Sequence, residues 1–169
     1  MVLTAGNLVY LTYDRYMRPQ ALSILPNVIT DSAFNNGIRM LPITVLATTV
    51  NNSEDEISVL AYNLKFRFVE GDEIEFPPLQ ISTKIHKEVV GTGATYDIYP
   101  ADSLLYKTMQ PIARMHQIQG WLVFEVPPEA MKEHSRVDYF ELSCLTLRTE
   151  HSDTERTYLA RSTPYPFRG

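Results

Sequence analysis

The side chains in this sequence that could do acid–base or metal chemistry are scattered. The histidines are His86, His116, His134 and His151. No two of them stand in an H-x-x-x-H or H-E-x-x-H pattern, the spacing that brings two imidazoles to one zinc ion. His86 falls on the polar face of an alternating run and reads as a surface residue. Ser-His-Asp chemistry would need a nucleophile elbow, and no G-x-S-x-G occurs. Only seven glycines are present, and none forms a phosphate-cradling loop of the P-loop or dinucleotide type. No cofactor and no catalytic residue is therefore assigned.

Two acidic turns have the hard oxygen ligands that calcium prefers, "NNSEDE" after Val50 and "EGDE" from Glu70 to Glu73. Neither follows the D-x-[DN]-x-[DN]-G order, so both read as solvated hairpin loops. The first contains an N-x-S sequon, Asn51-Asn52-Ser53, whose use would need a secretory context. Cys144 is the only cysteine, which excludes an intrachain disulfide and a cysteine-based zinc site. Within "ELSCLTL" it reads as a small buried residue rather than a nucleophile.

Ten tyrosines is a high count. Tyr10, Tyr13, Tyr16, Tyr96, Tyr99, Tyr106, Tyr158 and Tyr165 fall near expected loops or ends. Tyrosine gives large contact area at low entropic cost. Tyr10, Tyr13, Tyr16, Tyr96, Tyr99 and Tyr165 are the candidate contact surface. The competing reading is that the tyrosines close the two ends of the fold.

The elements that must position these residues are strands. "IRMLPITVLATTV" is rich in β-branched residues and ends on the first acidic turn. "ISVLAYNLKFRFV" then alternates, with Leu60, Tyr62, Leu64, Phe66 and Phe68 on one side and Asn63, Lys65 and Arg67 on the other, as a strand with one core face does. In the next section Ile81, Thr83, Ile85 and Val89 share a face against Lys84, His86 and Glu88. Pro77-Pro78 places its start at an edge or crossover. Near 101–107 the spacing of Leu104 and Leu105, with Asp102 or Ser103 as cap, predicts one short helical turn before Pro111. "QGWLVFEVPPEAM", Gln119 to Met131, holds the only tryptophan and is apolar on both faces. It predicts a strand buried between two layers, with Gly120 admitting the chain, Pro127-Pro128 ending it and Glu125 reaching solvent. "RVDYFELSCLTLRTE" predicts a central strand, with Val137, Tyr139 and Leu145 on one face and Phe140, Leu142 and Cys144 on the other. "ERTYLARST" predicts the last.

Eight or nine mostly antiparallel strands and little helix predict an all-β sandwich or barrel. The 169 residues suffice for one domain with its own core. Residues 1–37 read as an N-terminal arm or first strands, 38–163 as the sandwich and 164–169 as a tail. The net charge of −5 and the lack of a Lys/Arg cluster argue against nucleic acid. No stretch reaches the ~18–20 apolar residues of a transmembrane helix, and the start lacks the pattern of a signal peptide. The expected compartment is extracytoplasmic or membrane-anchored if a leader was removed, and cytoplasmic otherwise.

A β-rich strand running into "TTVNNSEDEISV", followed later by "IQGWLVFEVP", resembles the immunoglobulin-like domains of uncharacterised bacterial exported proteins and secreted antigens. The resemblance covers about Ile38 to Leu147. Residues 1–37 fall outside it, and "PIARMHQIQG" stands where a Pro-Gly turn would be expected. It implies an immunoglobulin-like β-sandwich and a non-enzymatic binding or structural module at the cell envelope, with a protein or cell-surface partner. It carries over no catalytic residue. Two other readings stay open: a subunit of a larger phage or secretion assembly that uses its termini as arms, with an oligomer possible, and a hydrolase acting at a sandwich cleft.

Overall fold

The computed structural model describes residues 22–30, 43–88, 94–125, 137–149 and 155–166. In chain order these form β1 (Leu22–Thr30), β2 (Ile43–Asn51), β3 (Ile57–Phe68), β4 (Glu73–Phe76), β5 (Ile85–Glu88) and β6 (Thr95–Ile98). A 3-10 turn (Pro100–Asp102) and the single-turn helix α1 (Leu104–Lys107) follow, then β7 (Gln117–Phe124), β8 (Val137–Thr149), β9 (Glu155–Arg161) and the two-residue β10 (Tyr165–Pro166). Every strand pairing among the described residues is antiparallel. The fold is all-β and sandwich-like, and the helical turn lies where the sequence predicts it.

One sheet has the order β1-β2-β7. The other has the order β10-β8-β3-β4, with β9 also paired to β8, so β8 is the central strand that its two apolar faces predict. Alternation turns Ile43, Val45 and Ala47 of β2 and Leu122 and Phe124 of β7 toward Tyr62, Leu64, Phe66 and Phe68 of β3 and Phe140, Leu142 and Cys144 of β8. Phe66 meets Phe76 and Phe140 edge-on, with ring centres 5.8 and 6.5 Å apart. Each fully buried phenylalanine contributes about 1.5–3 kcal/mol through burial.

The sheets are also joined by polar atoms. Tyr62 of β3 hydrogen-bonds Thr49 of β2 across the core at 2.9 Å, and it also reaches Thr108 and Cys144. A phenol that leaves water must find such partners, or lose about 1–3 kcal/mol.

The β5–β6 hairpin makes a third layer. Ile98 and Ile81 pack on Trp121 and Val123, the residues of β7 that point away from the main core, with Leu46 and Ile85 alongside. β7 is thus buried on both faces as the sequence predicts, and Glu125 just beyond it is exposed.

Three expectations change. Leu60 does not share the face of Tyr62 and Leu64: it is exposed, because the β3–β8 register shifts between Val59 and Ala61 and turns it outward. A second shift, between Arg67 and Phe68, carries Val137 into the main core with Phe140, away from the Tyr139 face. Gly120 lies within β7 rather than at its entrance. A Cβ there would sit 2.7 Å from the Leu104 nitrogen and 2.8 Å from the Asp102 carbonyl oxygen, because the chain at Asp102–Leu104 crosses directly over it. Ser103 bridges to Trp121 at the same crossing.

Both contacts at Gly120 are backbone, so neither can give way cheaply. Gly120→Ala is expected to cost about 2 kcal/mol or more. Gly71, in the β3–β4 turn, has φ of 99° with open space around its Cβ position, so Gly71→Ala should cost about 1 kcal/mol, from backbone strain alone. Urea unfolding of the two variants measures the difference.

Candidate functional site

The acidic turns are structural. Asn51 is fully buried. Its amide nitrogen donates to the carbonyls of Asp55, Ile112 and Ala113, and its amide oxygen accepts from the Ser53 N–H and hydroxyl. An amide enclosed in this way is closed to glycan transfer in the folded chain. The Asp55 carboxylate is held by Arg148, whose Nε donates at 2.9 Å. Glu73 of the second turn pairs with Lys65 and Arg67. Among the described residues no three His, Cys, Asp or Glu side chains gather as a metal site.

Cys144 is buried, and burial pushes its thiol up to about 12. The reactive thiolate is thus absent near neutral pH, in line with the expectation of an inert core cysteine. The Tyr62 phenol is also raised, first by burial. The grouping of Thr49, Tyr62, Thr108 and Cys144 was not foreseen as a unit. Its one signal in the sequence is a tyrosine placed on the apolar face of an alternating strand.

Of the candidate contact tyrosines, the structure sets Tyr96 in β6 and Tyr99 directly after it, at the N-cap of the 3-10 turn. Tyr10, Tyr13 and Tyr16 lie outside the described residues, as do His134 and His151. Tyr165 belongs to β10, where its backbone pairs with Phe140. His116 is exposed, with Nδ1 2.8 Å from the Arg114 carbonyl oxygen.

The β5–β6 hairpin sets Ile85 opposite Ile98 and His86 opposite Asp97. Since successive residues alternate in direction, anchoring Ile98 in the outer apolar layer turns His86 and Asp97 to solvent. Asp97 holds a different side chain with each oxygen: His86 Nδ1 lies 2.7 Å from Oδ1, and the Lys84 ammonium Nζ lies 2.8 Å from Oδ2. Lys84 also sits 5.6 Å from the centre of the Tyr99 ring. The Tyr99 N–H donates to the Asp102 carboxylate as the chain enters the 3-10 turn. Tyr96 is on the inner side, 5.5 Å from Trp121 and tilted 56° to it.

A carboxylate on a histidine Nδ1 is half of a general-base arrangement. Here the imidazole is 64% exposed, and among the described residues no hydroxyl or thiol meets its other nitrogen. The chain matches no protein-family model, and no curated protein matches it significantly. No helix among the described residues is long and apolar enough to cross a membrane.

Asp97 is held below the usual carboxylate range, first by the His86 hydrogen bond and then by Lys84. A depressed folded-state pKa means that the triad's contribution is present above the ordinary value of 3.8 and is lost as pH falls through the folded value. In an NMR titration the Asp97 midpoint should lie below 3.8 and rise in both His86→Ala and Lys84→Met, more in the former. As a second expectation, Cys144 should resist a disulfide reagent at pH 8 in the folded protein and react fully in 8 M urea, read by thiol absorbance.

Proposed function

We propose that this domain is a non-enzymatic binding module, an immunoglobulin-like sandwich working at the bacterial cell envelope, and that the β5–β6 hairpin is its contact surface for a protein partner. The observation that carries this reading is the display of Tyr99, Lys84 and the His86–Asp97 pair on a hairpin fixed by an apolar layer of its own. Two antiparallel sheets enclosing one core support the immunoglobulin-like part. An aromatic ring beside a cation, next to paired strands anchored through Ile85 and Ile98, gives large contact area at low ordering cost on binding. The neighbouring acid sets the position of the Lys84 ammonium and the His86 ring, so the surface selects a partner by charge pattern as well as shape.

The test places a photo-crosslinking amino acid at Tyr99 and, as a control, at Val69, which is exposed in the β3–β4 turn of another sheet. In the cells that make the protein, a discrete adduct is expected from position 99 and not from 69, and it should fade in a Lys84→Ala background. The same adducts from both positions, or none from 99, would refute the hairpin as the contact surface.

A further inference from the structure

The outer face of the β8-containing sheet lies on the opposite side of the sandwich from the hairpin, and beside its buried polar residues Lys65, Glu141 and Ser143 it is apolar along two rows. The register aligns Ala61 with Leu145 and Leu145 with Leu159, and the next row aligns Ser58 with Leu147 and Leu147 with Thr157. These residues alternate with the core residues Leu142, Cys144 and Ala160, so they point outward. Leu159 is 53% exposed, Leu60 at the bulge 51% and Leu145 36%. A leucine cluster of this kind spread over three adjacent strands marks an interaction surface.

The charges around it indicate the occupant. On β9, outward-facing Arg161 lies at one side of the leucine rows and outward-facing Glu155 at the other. They are six residues apart, about 20 Å along an extended strand. Their midpoint falls between the row of Leu145 and Leu159 and the row of Leu147 and Thr157. A two-fold axis running across the strands at that midpoint would lay this face on itself. It would set Leu145 over Leu147 of the second copy, and Arg161 over Glu155 of the second copy, twice. Arg161 is 54% exposed and only loosely engaged by Glu141, at 3.6 Å. Sheets packed face to face cross at about 30°, which moves the paired ends by a few ångströms, within reach of an arginine.

We infer that this face pairs with a second copy of the chain in a two-fold, sheet-on-sheet dimer held by the Leu60, Leu145 and Leu159 cluster and by two Arg161–Glu155 ion pairs. The footprint, about 20 Å by 20 Å per copy, is about half that of a standard specific interface and in the range of weak, transient ones, so the dimer belongs to the high-micromolar range.

Sedimentation equilibrium of the intact chain from low to several hundred micromolar tests this. A concentration-dependent dimer is expected for the wild type. Arg161→Glu and Glu155→Arg should each weaken it at least tenfold, because each puts like charges opposite one another twice. An equimolar mixture of the two variants should restore a dimer, since one copy then carries acids at both positions and the other bases. Circular dichroism checks that each variant is folded, and Leu159→Ser provides an independent probe of the apolar centre, with the same loss expected. A wild type that stays monomeric throughout would overturn the inference. So would charge variants that dimerise as the wild type does, or a mixture with no gain over its components.

Discussion

β7 is covered on both faces, and the rest of the structure is arranged around that requirement. Leu122 and Phe124 close the main core against β3 and β8, while Trp121 and Val123 would face water if the β5–β6 hairpin did not cover them. The chain at Asp102–Leu104 then crosses β7 at the one residue without a side chain. The three layers, the hairpin and the helical turn all stem from one strand with two apolar faces. The Tyr62–Thr49 hydrogen bond adds direction to this packing, because burial alone would allow the two sheets to slide.

Period-2 alternation made most of this architecture legible in the sequence. It placed Tyr62, Leu64 and Phe66 in the core, made β8 central and put apolar residues on both sides of β7. It failed at Leu60 and Val137 for one physical reason. Side chains alternate with a period of two, so a single extra residue inverts the facing of every later position in the strand, and a bulge leaves little trace in composition. The place of Gly120 is not legible either, because a glycine looks the same at a strand entrance and beneath a crossing chain; only the spatial neighbour tells them apart. The role of Asn51 was hidden because its partners at Ile112 and Ala113 are far along the chain.

The candidate site was legible in part. Tyr96 and Tyr99 could be singled out by residue type, but their type does not tell that one ring, in β6, faces inward to Trp121 and that the other, just after β6, lies beside Lys84. The pairing of His86 with Asp97 depends on the register of that hairpin. No local motif encodes it, because the two residues belong to different strands. The surface is therefore a product of the third layer, and its order is tied to the packing of Ile98 beneath it.

The position of Trp121 has a practical side. As the sole indole in the chain, it sits between β7 and the hairpin, beside the Tyr96 ring, and outside the main core. Intrinsic fluorescence consequently senses the seam between the outer layer and the sandwich. The phenylalanine-rich interior is nearly silent in that signal. Emission and backbone circular dichroism thus observe two different parts of this protein, and any gap between their melting curves would measure how independently the hairpin detaches.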